Sequence, residues 1–115
     1  MDMPEVISVV QDTEQRQVRL QLAISPELDG FEGHFVGAPI VPGVMQIYWA
    51  LQFANIYLER LTPHVIAHME AVKFQHIMTP GIEVLLELAL TDANLVFEFS
   101  SPSRRYSSGK IVLTS

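Results

Sequence analysis

A chain of 115 residues holds one domain of ordinary size and leaves no room for a second core, so residues 1–115 are expected to form a single unit. At 49% hydrophobic and 17% charged it is too apolar for a disordered, self-repelling segment, and the apolar surplus points to an oligomer. Seven Lys+Arg against thirteen Asp+Glu give net −6, which argues against broad attraction to nucleic acid or an anionic membrane. With no cysteine there is no disulfide framework, no cysteine zinc site and no thiol nucleophile.

The start, Met1-Asp2-Met3-Pro4-Glu5, is acidic rather than basic, and no apolar run approaches the ~18 residues of a membrane span. The expected location is the cytoplasm. Residues 5–10 read as a strand. From Gln17 to Ile24 the alternation of Val18, Leu20, Leu22 and Ile24 with polar neighbours predicts a strand with one covered face. From Pro42 to about Leu61 the apolar residues cover nearly every helical direction, which predicts a buried helix. Pro42 suits its first turn and Thr62-Pro63 stops it. Further strands are expected over Ile66–His76, Ile82–Leu90, Leu95–Phe99 and Ile111–Thr114, separated by Pro80-Gly81, Asp92-Ala93-Asn94 and Pro102–Gly109. One long helix among five or six antiparallel strands implies an α+β chain whose sheet wraps around the helix.

The chemistry-bearing segment runs Phe31-Glu32-Gly33-His34-Phe35-Val36-Gly37-Ala38-Pro39-Ile40-Val41-Pro42-Gly43-Val44. His34 lies eight residues before the proline that opens the helix. An imidazole base there meets exposed backbone N–H groups and the positive end of a helix dipole. Such a site polarises a carbonyl while the base removes an adjacent proton. The plainer reading makes His34 a loop histidine bonded to a backbone carbonyl, with the glycines and prolines shaping a turn.

Gly33-His34-Phe35, Pro39, Pro42-Gly43-Val44 and Gln52 resemble the signature of the hotdog-fold 3-hydroxyacyl-[acyl-carrier-protein] dehydratases, FabA and FabZ. Gln46 and Trp49, in Val41-Pro42-Gly43-Val44-Met45-Gln46-Ile47-Tyr48-Trp49-Ala50, look closer to the ApeI-like thioester dehydratases of aryl polyene pathways. Lys73-Phe74, Pro80-Gly81 and Ser107-Ser108-Gly109-Lys110 extend the likeness over most of the chain. The resemblance implies a hotdog fold, a homodimer with two interface sites, and dehydration of a 3-hydroxyacyl thioester on acyl carrier protein to the trans-2-enoyl thioester, without metal or other cofactor. In its terms His34 is the acid–base residue, the Gly43 N–H binds the thioester carbonyl, the Ile40 carbonyl orients the imidazole, and Phe35 belongs to the substrate site.

One position departs from the pattern. Fourteen residues after the histidine the family has Glu or Asp, and this chain has Tyr48. A phenol protonated at neutral pH donates a hydrogen bond to the hydroxyl but is no carboxylate. Gln52, one turn on, matches the family's glutamine and is expected to bond the acid position or the substrate from the same face, or to be satisfied in a dimer interface. Glu32 and Asp29, the nearest acids in the preceding loop, are expected to be solvated.

Arg104, Arg105 and Lys110 form the concentrated positive patch. It reads as a solvated hairpin or as a docking rim for an acidic carrier protein. His64 and His68 in a strand would stand about 13 Å apart, too far to share one metal, and His76 reads as a half-exposed sheet residue. Trp49, Phe53 and Tyr57 read as core, with a subset free to line an acyl tunnel. Two further readings stay open: an acyl-thioester hydrolase, and a non-catalytic acyl-binding subunit partnering another hotdog chain. A dimer of dimers is compatible with either.

Overall fold

The computed structural model describes residues 3–26, 40–59 and 66–114. These form β1 (Glu5–Asp12), β2 (Gln17–Ala23), α1 (Gly43–Tyr57), β3 (Ile66–Phe74), β4 (Glu83–Leu90), β5 (Asn94–Ser101) and β6 (Arg104–Leu113). All neighbours pair antiparallel in one sheet ordered β1-β2-β4-β5-β6-β3. Among the described residues the two sheet edges are therefore β1 and β3.

Strand periodicity decides which face is covered. Val18, Leu20 and Leu22 of β2, Val84, Leu86, Leu88 and Leu90 of β4, and Leu95, Phe97 and Phe99 of β5 are buried, while residues between them are more exposed. Register aligns them in rows across the strands: Val18 with Leu88, Phe97 and Gly109, and Leu20 with Leu86, Phe99 and Ser107. Met45, Trp49, Ala50, Phe53 and Ala54 of α1 join the same core. The α+β expectation of a sheet curled on one helix is met.

Gly109 ends one row because there is no space for more. A Cβ there would lie 2.8 Å from the Phe97 ring and 3.0 Å from Val72, closer than carbon atoms pack. Gly109→Ala is expected to cost about 1–3 kcal/mol through overpacking. Urea unfolding measures it, and an unchanged midpoint would mean that Phe97 can turn aside.

Four expectations are corrected. The last strand starts at Arg104, not Ile111, and the segment expected as a Pro102–Gly109 connection is mostly β6, joined to β5 by a turn at Pro102-Ser103. Its period was hidden because the core-facing residues include Ser107 and Gly109, which do not read as apolar. The helix stops at Tyr57 rather than near Leu61, since the Leu58 and Glu59 N–H groups both turn to the Ala54 carbonyl. Arg16 also holds Glu59 at 2.7 Å and Asp92 at 2.8 Å, tying the helix end to two turns of the sheet. Nor is the helix buried all round, because Val44 is 68% and Ile56 63% exposed. Finally, β3 ends at Phe74, so Gln75 and His76 lie beyond the strand.

A bulge interrupts β3 between Glu70 and Lys73, where Ala71 takes a left-handed φ of 51°. The extra residue re-aims the end of the strand. Phe74 there turns toward the start of α1.

Candidate active site

Pro42 caps α1 in an extended conformation, and no side chain caps the helix. The Met45 and Gln46 N–H groups both close on the Pro42 carbonyl, at 3.0 and 3.2 Å. Proline carries no N–H, so two donors are left over: among the described residues the Gly43 and Val44 N–H groups have no acceptor. They share the positive end of the helix dipole, with no acidic side chain in the first turn to offset it.

A cleft of about 300 Å³ opens at this helix start. Ile40, Val41, Gly43 and Gln46 form one side, and residues 74–78 the other. The two sides are laced together. Val41 donates to the Met78 carbonyl at 2.7 Å across the cleft, while the Gln75 N–H anchors the second side to β6 through the Tyr106 carbonyl at 2.9 Å. Phe74 lies so close that a Cβ on Gly43 would stand 2.6 Å from its ring. Only glycine admits that approach.

His76 also lines the cleft. Its Nδ1 lies 3.0 Å from the Arg105 carbonyl, which can only accept, so Nδ1 is the donor in that hydrogen bond. The sequence pattern gave His76 no role, because its place depends on how β3 ends beside β6.

The expected site residues fall into three groups. Ile40 and Gly43 both line the cleft. Tyr48 and Gln52 stand half-buried one turn apart on α1, and neither is in the cleft wall. His34 and Phe35, with Asp29 and Glu32, lie outside the described residues. Trp49 and Phe53 are core residues and do not line this cleft.

The basic residues do not form one patch. Arg104 and Arg105 are exposed at the start of β6, and the Arg105 guanidinium meets Glu98 at 2.7 Å. Lys110 lies further along β6, paired in register with Glu70 of β3. The Glu70 carboxyl is held below the usual carboxylate range, chiefly by its 2.8 Å hydrogen bond with His68 and, more weakly, by the charges of His68 and Lys110. Among the described residues no group of His, Asp or Glu could hold a metal ion, and no helix is long and apolar enough to cross a membrane.

An antiparallel sheet around one helix, with an apolar cleft where that helix starts, is the hotdog architecture expected from the sequence. The model of the ApeI-like family, described as ApeI dehydratase, matches residues 10–110, and the chain belongs to that family. It superposes on a chain of the dehydratase heterocomplex ApeI:P from Xenorhabdus doucetiae with a TM-score of 0.86 and 33% identity, covering 99% of this chain and 100% of that one. A protein from Erwinia carotovora subsp. atroseptica matches with a TM-score of 0.77 and 31% identity over 98% of this chain and 97% of that one. The 3-hydroxyacyl-[acyl-carrier-protein] dehydratase FabZ of Erythrobacter litoralis (strain HTCC2594) is 41% identical over 68 residues, which span 53% of this chain and 45% of that protein.

Proposed function

We propose that this protein removes water from a 3-hydroxyacyl thioester, carried on acyl carrier protein, to give the trans-2-enoyl thioester in fatty-acid or aryl polyene type biosynthesis. The observation that carries the reading is the pair of Gly43 and Val44 N–H groups at the apolar cleft, which have no acceptor among the described residues, following a Gly33-His34-Phe35 motif in the chain. A thioester oxygen bound by those donors gains negative charge as the α-proton leaves, and the donors stabilise it most at that moment. His34 takes the α-proton. The C–O bond to the β-hydroxyl then breaks, and the imidazolium returns the proton so that water leaves. Tyr48, which stands outside the cleft wall of its own chain, contributes a hydrogen bond to the departing hydroxyl at a site shared across the dimer. No cofactor enters the balance.

The carrier arm of the proposal places Arg104 and Arg105 at the docking rim, because His76 links Arg105 to the cleft wall. Lys110 contributes long-range charge. The assembly is a homodimer in the cytoplasm, and the exposed Val44, Met69, Phe74 and Ile77 supply apolar surface for it. A second reading is favoured by the heterocomplex named for the Xenorhabdus relative together with Tyr48: a different hotdog chain pairs with this one and donates the carboxylate that Tyr48 replaces.

Mass spectrometry of purified protein with a panel of 3-hydroxyacyl carrier thioesters tests the reading. The expected result is loss of one water from at least one substrate, with a KM that rises as salt is added. Thioester cleavage would make the protein a hydrolase. Binding without turnover, followed by turnover when a second hotdog chain is added, would establish the heteromeric reading instead.

A further inference from the structure

Among the described residues the buried polar side chains are Gln46 and Ser107, 3% and 0% exposed, and neither enters the chemistry above. They are joined in a line. The Ser107 hydroxyl donates to Gln46 Oε1 at 2.6 Å, and Gln46 Nε2 donates to the Val41 carbonyl at 3.1 Å. The Val41 N–H is held from the other side by Met78. Both backbone groups of a residue outside regular structure are therefore fixed, one residue before the proline that opens the helix.

We propose that Gln46, seated by Ser107, is a positioning residue for the acyl-carbonyl site. Its backbone N–H takes the Pro42 carbonyl and its side chain takes the Val41 carbonyl, so two successive carbonyl dipoles are drawn away from the cleft. What remains at the helix start is the pair of N–H donors. A Val41 carbonyl released to turn toward the cleft would oppose the negative oxygen that those donors are there to stabilise. Packing alone does not call for this pair, since an apolar residue at 46 fills the same space without requiring a hydroxyl at 107. Gln46 also belongs to both places, being buried in the core and part of the cleft wall. The inference rests on the function proposed above.

Gln46→Met keeps the length of the side chain and removes both hydrogen bonds. Its expected effect is a kcat lowered by about 10- to 100-fold with KM within about threefold of wild type, the pattern of a misplaced group that acts in the transition state. Ser107→Ala is expected to act in the same direction and more weakly, and the double variant to be no slower than Gln46→Met, since the residues work as one unit. Gln46→Glu supplies a readout that a purely structural role would not give. A protonated carboxyl donates to Val41 again, so the rate of Gln46→Glu relative to wild type recovers as pH falls, whereas that of Gln46→Met stays flat.

Amide NMR follows the Gly43 and Val44 N–H groups with and without a saturated acyl-pantetheine, which carries the thioester but has no hydroxyl to lose. Both signals are expected to move in Gln46→Met and to respond less to the thioester. A folded Gln46→Met with wild-type kcat and unmoved amides overturns the inference, as do additive losses in the double variant. Should Gln46→Met fail to fold, Ser107→Ala and the pH response of Gln46→Glu decide. Absence of turnover in the wild type would sink the dehydratase reading alone, because the amide shifts still decide whether Gln46 orders the carbonyl site.

Discussion

His34→Ala is expected to lower dehydratase turnover by about 10²–10⁴-fold, the usual contribution of a positioned acid–base group. A proton next to a thioester carbonyl is too weakly acidic to leave without a base, and the helix-start donors lower that barrier without accepting the proton. The same residue returns the proton to the hydroxyl, so its loss removes both halves of the transfer. Wild-type kcat/KM should also fall as pH drops through the imidazole range, because a protonated ring accepts nothing. Mass-spectrometric turnover, with a melting curve on each variant, separates chemistry from unfolding. Unchanged turnover in a folded His34→Ala would end the mechanism as drawn. Tyr48→Asp sharpens the test: a gain in rate means that the site lacks only its acid, and a loss assigns the phenol a role of its own.

Gly43→Ala should lower turnover by about 10²–10³-fold, comparable with loss of a carbonyl-binding donor. The first helical residue tolerates alanine conformationally, and alanine there saves roughly 0.5–1 kcal/mol relative to glycine. The damage is local. The new methyl would lie 2.6 Å from the Phe74 ring, so the ring must move. Methyl and displaced ring then crowd the mouth of the donor pair. Melting should be nearly unchanged while activity collapses, and Gly43→Ala/Phe74→Ala should recover part of it. Full activity in the single variant would show that the carbonyl binds elsewhere.

Much of the fold was legible because β2 and β4 alternate cleanly, with Val18, Leu20 and Leu22 facing Leu88, Leu86 and Val84. Strand β6 was legible only at its end. A serine and a glycine occupy core positions there for reasons that lie elsewhere in the chain, in Gln46 and in the Phe97 ring. Local composition carries no trace of such partners. The helix was placed correctly at its start, where proline and glycine act locally, and too long at its end, where the Leu58 and Glu59 N–H groups turn back to the Ala54 carbonyl with no glycine or proline to mark the stop. Gly43 and Ile40, which the motif singles out, line the cleft. Phe74, His76 and Ser107 join the site only through the bulge and register of the last two sheet positions, which are long-range facts.

The position of β3 has a consequence for the order of folding. β4, β5 and β6 follow one another and are joined by short turns, so their pairing needs only small loops to close. Within the chain β3 comes before all three but pairs only with β6, the last of them. Docking of β3 therefore waits on the completed meander, and so does the placement of Phe74 against Gly43. On this topology the cleft assembles after the β4–β6 meander, and amide protection at Gln75 and His76 should appear after that of β4 and β5 in a refolding time course.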